Sequence, residues 1–168
     1  FNHAVGFSIN YFQHKLASTN SSDGSMLKDV IRGGVDYFPR INISESGNAS
    51  VSIGTPLCIG LGSLKVSNES GIVLAGDASL GVYYNYGRAS SRDNESKFGF
   101  FAGAGFSGGF TNLYLEYGEI HVSSYGPMGH AGVRMPFIGE TASIGLFYRH
   151  GLEDDKFRTY GLKFALDL

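Results

Sequence analysis

Large apolar side chains alternate with small or polar ones along most of the chain, most clearly in its last twelve residues, Phe157–Leu168. From residue 160 onward every even position is large and apolar: Tyr160, Leu162, Phe164, Leu166 and Leu168. The intervening odd positions are small or ionisable, and they include Lys163 and Asp167. A period of two residues is that of a β-strand with one apolar and one polar face. The pattern therefore predicts a two-faced strand at this end of the sequence.

Seven earlier segments repeat this alternation: Val5–Tyr11, Leu27–Tyr37, Ala49–Leu61, Ile72–Gly87, Lys97–Phe110, Tyr125–Phe137 and Thr141–Leu152. Most of the segments are about as long as a tilted membrane-spanning strand, and longer than the roughly 5–6 residues of ordinary strands. Stretches rich in Gly, Ser, Asn and Asp separate them, as expected of turns. The sequence thus predicts eight strands, an even number like that of bacterial single-chain barrels.

The segment Thr111–Ser123 is itself strand-like and could form a ninth strand. An odd number of strands would place the two termini at opposite ends of a barrel. We therefore predict that this segment belongs to an extended hairpin that projects above the bilayer. Residues 17–26 and 111–124 are then the main loops.

Alternation alone does not say which face points outward. A lipocalin-like soluble carrier would turn the aromatic residues inward and expose a face of Gly, Ala and Ser with few charges, which is a poor soluble surface. If the apolar face points outward, the charged side chains point into the barrel. A charged side chain that faced lipid instead would cost about 2–4 kcal/mol at mid-membrane. The interior charges would then be Lys28, Arg32, Asp36, Asp77, Arg134, Arg149, Lys163 and Asp167.

These charges can pair as a salt-bridge core, or they can line a pore that favours anions. Eight strands enclose a space that side chains roughly fill, which favours the core and excludes a wide channel. We therefore predict one domain over residues 1–168, with an all-β fold. It is an eight-stranded antiparallel up-and-down transmembrane β-barrel with a polar, side-chain-filled interior.

Aromatic residues near the predicted strand ends suit the interfacial girdles of membrane barrels. The chain has 13 Phe and 10 Tyr but no Trp. The girdle candidates are Tyr11, Phe12, Tyr37, Phe38, Tyr84, Tyr86, Phe98, Phe137, Tyr148 and Tyr160.

The segment G-P-M-G-H-A-G-V-R-M-P-F (Gly126–Phe137), followed by the last two strands, resembles small eight-stranded outer-membrane barrels of the OmpA/OmpX type. Among these it is most similar to barrels from Bacteroidota. The resemblance implies an integral protein of the cell outer membrane, surrounded by lipid and lipopolysaccharide, whose signal peptide has been removed. Leu168 departs from the pattern, because proteobacterial members usually carry Phe there.

Some small barrels of this kind are lipid A deacylases that keep a His, a Ser and a Glu on the lipid-facing side of the last strands. Here His150 and Glu153 occupy similar places, but the family pattern needs a Ser two residues after the His, where this chain has Leu152. Without a nucleophile a His and an acid support no acyl transfer. We predict no catalytic residues, and lipid modification at His150 remains the enzymatic alternative.

The remaining chemistry is sparse. The acidic residues Glu153–Asp155 could hold Ca²⁺, but such a run is more typical of a solvated turn. Cys58 is the single cysteine, so it has no disulfide partner within the chain and is predicted to be a small buried side chain. A net charge of −2 gives no electrostatic case for nucleic acid. We expect no cofactor, no metal and no small-molecule substrate. A scaffold or accessory subunit of a larger envelope complex, for transport or secretion, is the function that we predict.

Overall fold

A computed structural model describes residues 1–16, 26–66, 69–91, 96–115, 118–152 and 158–168. Within these ranges, only the backbone is described for residues 14–16, 26–29, 64–66, 69–70 and 115. The described chain consists of long antiparallel strands joined by turns and connections. No helix in these ranges is long and apolar enough to cross a membrane.

The described residues form nine strands: β1 Asn2–Leu16, β2 Met26–Ser46, β3 Ala49–Gly54, β4 Leu57–Val66, β5 Glu69–Gly87, β6 Gly99–Leu115, β7 Gly118–Phe137, β8 Glu140–His150 and β9 Arg158–Asp167. Strands that follow one another pair antiparallel around the sheet, except that β3 and β4 each pair with β2 and β5, and β1 pairs with β9 to close the sheet. The fold is therefore a closed, up-and-down all-β barrel, and the predicted fold class is confirmed.

Strands β3 and β4 are two halves of one barrel strand, so the ring has eight strands. Both halves pair with β2 and β5, and the register continues unchanged across Thr55 and Pro56. Pro39 on β2 lies beside this break, and neither proline has a backbone N–H to donate. The N–H of Thr55 donates to Pro39 O at 2.9 Å, and that of Ser79 donates to Pro56 O at 2.9 Å. The prolines thus interrupt the ladder without shifting it.

Strand β2 is longer than its predicted segment and runs on to Ser46. The alternation is interrupted beyond Tyr37 by Pro39 and by the extra residue Ile43, which forms a bulge between Asn42 and Ser44. This extension carries Arg40 into the barrel interior.

The segment that could have been a ninth strand is an extended hairpin. Strands β6 and β7 remain paired from Gly99↔Arg134 up to Leu115↔Gly118. Strand β8, in contrast, stops at His150, and its last pair with β7 is Met128↔Arg149. The β6–β7 hairpin therefore extends well beyond the last pair of β7 with β8.

The barrel has two distinct ends. One end, the terminal end, holds both chain termini, the turns at Gly47–Asn48 and Ile138–Gly139, and the connection between β5 and β6. At the other end, the loop end, lie the connections β1–β2, β4–β5, β6–β7 and β8–β9. At the terminal end, the connection after β5 is tied to the barrel: Arg40 donates to Ala89 O at 3.3 Å and Ser90 donates to Asn48 O at 2.9 Å.

Candidate functional site

The interior holds a buried ion triad towards the loop end. Asp77 on β5 accepts hydrogen bonds from Arg32 on β2 at 2.5 Å and from Arg149 on β8 at 2.7 Å. Both arginine side chains are only 1% exposed. Arg149 also donates to Thr159 Oγ1 at 3.4 Å. The triad thereby joins strands that are not neighbours in the ring.

A second cluster lies towards the terminal end. Asp167 on β9 pairs with Arg40 at 3.1 Å and with Arg134 at 3.4 Å. Arg134 also donates to Asn85 Oδ1 at 2.9 Å, and Asn85 in turn donates to Ser52. These contacts connect β2, β5, β7 and β9 across the lumen.

A third ion pair lies within the same interior: Lys163 Nζ lies 2.6 Å from Asp36 Oδ1. The structure thus places seven of the predicted interior charges in three ion clusters, those at Arg32, Asp36, Asp77, Arg134, Arg149, Lys163 and Asp167. The side chain of Lys28 lies outside the described residues. Arg40 was not among the predicted residues, because its strand was predicted to end at Tyr37.

Each cluster also uses aromatic rings. The guanidinium of Arg32 lies 4.7 Å from the Phe12 ring centroid, and that of Arg134 lies 4.8 Å from the ring of Phe101. Lys163 lies 4.9 Å from the Phe147 ring. Cation–π contacts of this kind are strongest where the cation is removed from water. The rings therefore help to stabilise cations whose burial would otherwise cost several kcal/mol each.

The aromatic girdle prediction was wrong at two positions. Phe12 and Phe38 are 3% and 9% exposed and point into the barrel, whereas the neighbouring Tyr11 and Tyr37 lie on the outward face. Inward glycines provide the room, since a β-carbon at Gly54 would overlap the Phe38 ring. The interior is therefore partly aromatic as well as polar.

Inward aromatic rings form a layer across the barrel, the aromatic layer, which consists of Phe38, Tyr83, Phe101 and Phe147. His130 lies at its centre. Its ring centroid is 4.9 Å from that of Phe101, 5.8 Å from Phe38, 5.9 Å from Tyr83 and 6.3 Å from Phe147. A separate apolar cluster lies towards the loop end, formed by Phe12, Val30, Val73, Ala75 and Leu113 with Ile120 and Val122 against it. Ion clusters and apolar layers thus share the barrel interior.

The interior leaves little open space. The cavity between the ion pairs, lined by Asp36, Arg40, His130, Arg134 and Lys163 among others, has a volume of about 20 Å³. That is room for about one water molecule. Over the residues described, side chains fill the barrel, as expected for eight strands.

The outward face is mainly apolar along the middle of the barrel wall. Phe7, Leu61 and Leu146 are 63–69% exposed. On the closing strand β9 and at Leu168, which follows it, the side chains predicted to face lipid point outward: Tyr160, Leu162, Phe164 and Leu168 are 40–63% exposed, and Leu166 is half-buried. Soluble monomers rarely expose contiguous apolar patches larger than a few hundred Å². A wall of this composition is suited to a lipid environment.

Of the candidate catalytic residues, only His150 lies in the described part of the chain. His150 is half-buried at the loop-end edge of β8, and Leu152 is an exposed apolar side chain. Glu153, Asp154 and Asp155 lie outside the described residues. His121, on the β6–β7 hairpin, contacts Asn112 at 2.9 Å and Glu119 at 3.6 Å. Among the residues that are described, no three His, Cys, Asp or Glu side chains are grouped closely enough to hold a metal ion.

Comparison by sequence identifies no relative. No protein-family model matches the chain, and no curated protein matches it.

Comparison of structures finds small outer-membrane barrels. The outer membrane protein OprG from Pseudomonas aeruginosa matches with a TM-score of 0.57 and 10% identity, covering 99% of this chain and 95% of that one. Neisserial surface protein A, NspA, matches at 0.52 with 15% identity, over 99% and 96% of the two chains. Ail, the attachment invasion locus protein of Yersinia pestis, matches at 0.52 with 12% identity, over 99% and 97%. At these identities the likeness establishes the fold, that of small outer-membrane β-barrels.

Proposed function

We propose that the chain spans the outer membrane as a closed, non-conducting β-barrel and acts as a non-enzymatic scaffold or accessory subunit of a larger envelope complex. The observation that carries this proposal is that the barrel is apolar outside and charged inside, the reverse of the arrangement in a soluble protein. Apolar side chains cover the outside, and the ion clusters of Asp77, Asp167 and Asp36 lie inside. Such a distribution is stable where lipid surrounds the wall.

The filled interior supports a role other than diffusion. Among the residues that the structure describes, the cavity of about 20 Å³ between the ion clusters offers no passage to a sugar or an amino acid. In planar bilayers we expect the protein to give no stable channel openings. Steady openings with the single-channel current of an anion pore would instead favour a pore-lining role for the interior charges.

The β6–β7 hairpin is the part best placed to contact a partner. It extends beyond the last β7–β8 pair, and its outward residues Glu119 and His121 are more than half exposed. Its inward residues Ile120 and Val122 pack on the loop-end apolar cluster. Because that packing holds the hairpin in place, it can present a fixed surface outside the membrane.

A hairpin deletion tests the scaffold role. Residues 113–120 are replaced by Asn-Gly, which supports a tight turn between Asn112 and His121. Native membranes carrying the wild type or the shortened protein are cross-linked, and proteins captured with each barrel are identified by mass spectrometry. We expect one envelope protein in near-stoichiometric amount with the wild type and its loss with the shortened hairpin.

The matched control is Lys97→Gln, an exposed charge at the opposite end of the barrel, which should leave the capture unchanged. Heat-modifiable mobility in a detergent gel verifies that each variant is folded. Recovery of the folded wild type with no captured protein would argue against the scaffold role.

A further inference from the structure

Two basic residues lie side by side on the outward face at the loop end. His150 on β8 is the direct cross-strand partner of Arg158 on β9. Each is two residues along its strand from an outward tyrosine, Tyr148 or Tyr160, so strand alternation puts both on the outer wall. Arg158 is exposed and His150 is half-buried. They form the loop-end edge of the β8–β9 ladder.

A row of tyrosines lies directly beneath this basic pair. Tyr148 and Tyr160 are cross-strand partners with ring centroids 5.2 Å apart, and Tyr11 lies 6.4 Å from Tyr160 on the other side. Gln13 donates to the Tyr11 hydroxyl at 3.3 Å. Tyrosines of membrane barrels gather where the hydrocarbon layer meets the headgroups. The basic pair is therefore at the level of lipid headgroups.

The wall beside and below the tyrosine row contains a shallow apolar concavity of about 730 Å³, which the three tyrosines also line. Its floor consists of small residues on β6 and β7, including Ala102, Gly129 and Ala131. A β-carbon added at Gly129 would meet no atom within 4 Å. Tyr148 and Leu146 rise beside this floor. The concavity can therefore receive an acyl chain that lies along the wall.

A second concavity on the wall provides an internal comparison. It has a volume of about 570 Å³ and lies over Gly33, which also has nothing within 4 Å of an added β-carbon. Towards the loop end, the next outward positions above it are Ile31, which also lines the first concavity, and Ser63. The two concavities thus share an apolar floor with an open glycine. At the described positions next to each of them, a basic pair borders the first concavity but not the second.

The geometry points to a binding site for a phosphorylated glycolipid of the outer leaflet, lipid A. Arg158 binds a phosphate group with His150 beside it, and one acyl chain lies over Gly129. Arginine matches the geometry of phosphate oxygens with paired donors. The site rests on the proposed placement in the outer membrane, because that placement turns the loop end towards the leaflet that carries lipid A.

Binding of purified bis-phosphorylated lipid A to the full chain in detergent, measured by native mass spectrometry, tests the site. One basic residue near a membrane surface contributes about a fivefold change in affinity, so we expect about fivefold weaker binding for Arg158→Gln and further weakening on adding His150→Gln. Lipid A without phosphates should bind the wild type more weakly, and the double variant should no longer distinguish the two lipids. Phosphatidylglycerol binding equal to that of lipid A would overturn the assignment to lipid A.

Matched variants separate the headgroup from the acyl chain. Gly129→Leu fills the proposed acyl position and should weaken binding, whereas Gly33→Leu in the second concavity and Lys97→Gln at the other end should not. Equal effects of Gly129→Leu and Gly33→Leu, or unchanged binding by Arg158→Gln, would overturn the site. Heat-modifiable mobility is recorded for every variant: a folded, lipid-requiring barrel without phosphate preference refutes this site alone, whereas a chain that folds in plain buffer refutes the membrane placement itself.

Discussion

The ring of Tyr83 on β5 lies across Gly103, its direct partner on β6, in the space that a β-carbon would fill. Tyr83 is fully buried, and its ring centroid is 4.9 Å from that of Phe38. Gly54 and Gly132 similarly leave room for the rings of Phe38 and Phe101. The inward glycines therefore determine how the aromatic layer fits into the narrow barrel.

Replacing Gly103 by Ala should push the Tyr83 ring out of its place. Such overpacking costs about 1–3 kcal/mol in a filled core. The free energy of unfolding, measured by urea titration in lipid vesicles, should fall by that amount. Gly129→Ala is the matched control: it faces outward into open space, so its effect should stay within about 0.5 kcal/mol. Equal losses for the two variants would contradict the role of the inward glycine.

Asp77→Asn should destabilise the barrel strongly. The substitution removes the charge that balances Arg32 and Arg149, both of which are buried. Removing one partner of a buried ion pair costs about 3–5 kcal/mol. The same urea titration measures the loss, with Glu119→Gln on the exposed hairpin as a control that should change little. If Asp77→Asn were as stable as Glu119→Gln, the ion triad would not be part of a sealed core.

A positive charge on the outer wall should be costly in a bilayer. Leu162, which is 51% exposed in the middle of β9, is replaced by Arg. We expect a loss of about 2–4 kcal/mol, because the charge would face hydrocarbon. Arg introduced at Ile138, in the turn at the terminal end, should cost about 1 kcal/mol or less. A cost at Leu162 no greater than at Ile138 would mean that this wall does not face lipid.

Ile138→Asn should stabilise the folded barrel. Ile138 has a φ of 47° and precedes Gly139 with a φ of 85°, in a two-residue hairpin turn. A β-branched residue is strained in this left-handed region, whereas Asn-Gly is the preferred pair for such a turn. We expect a gain of about 1 kcal/mol in the free energy of unfolding. Gly139→Ala should have the opposite sign, and a loss of stability with Ile138→Asn would show that the turn is not strained.

Alternation along the chain was sufficient to predict the barrel, because a period of two reports directly which side chains share a face. It also predicted that the side chains of Arg32, Asp77 and Arg149 point into the barrel. It did not show that Asp77 lies between the two arginines. That relationship depends on how far each strand is staggered against its neighbours, and alternation does not encode stagger.

The aromatic interior could have been found in part from the same pattern. Tyr83 alternates with the outward Tyr84, and Phe12 alternates with Tyr11, so parity alone places Tyr83 and Phe12 inside. At Phe12 and Phe38, the expectation that aromatic rings lie at the membrane interface was preferred to the alternation, which places both side chains inside the barrel. Arg40 was missed for another reason, since Pro39 and the bulge at Ile43 obscured the alternation along the second half of β2.

Lipid-dependent folding tests the central claim, a membrane barrel with its polarity inverted, most directly. The chain is denatured in urea and diluted either into phospholipid vesicles or into plain buffer, and each sample is run unheated and boiled on a detergent gel. We predict a faster-migrating, heat-modifiable folded band with vesicles only, because the apolar wall needs lipid around it. A folded, monodisperse protein in plain buffer would contradict the account.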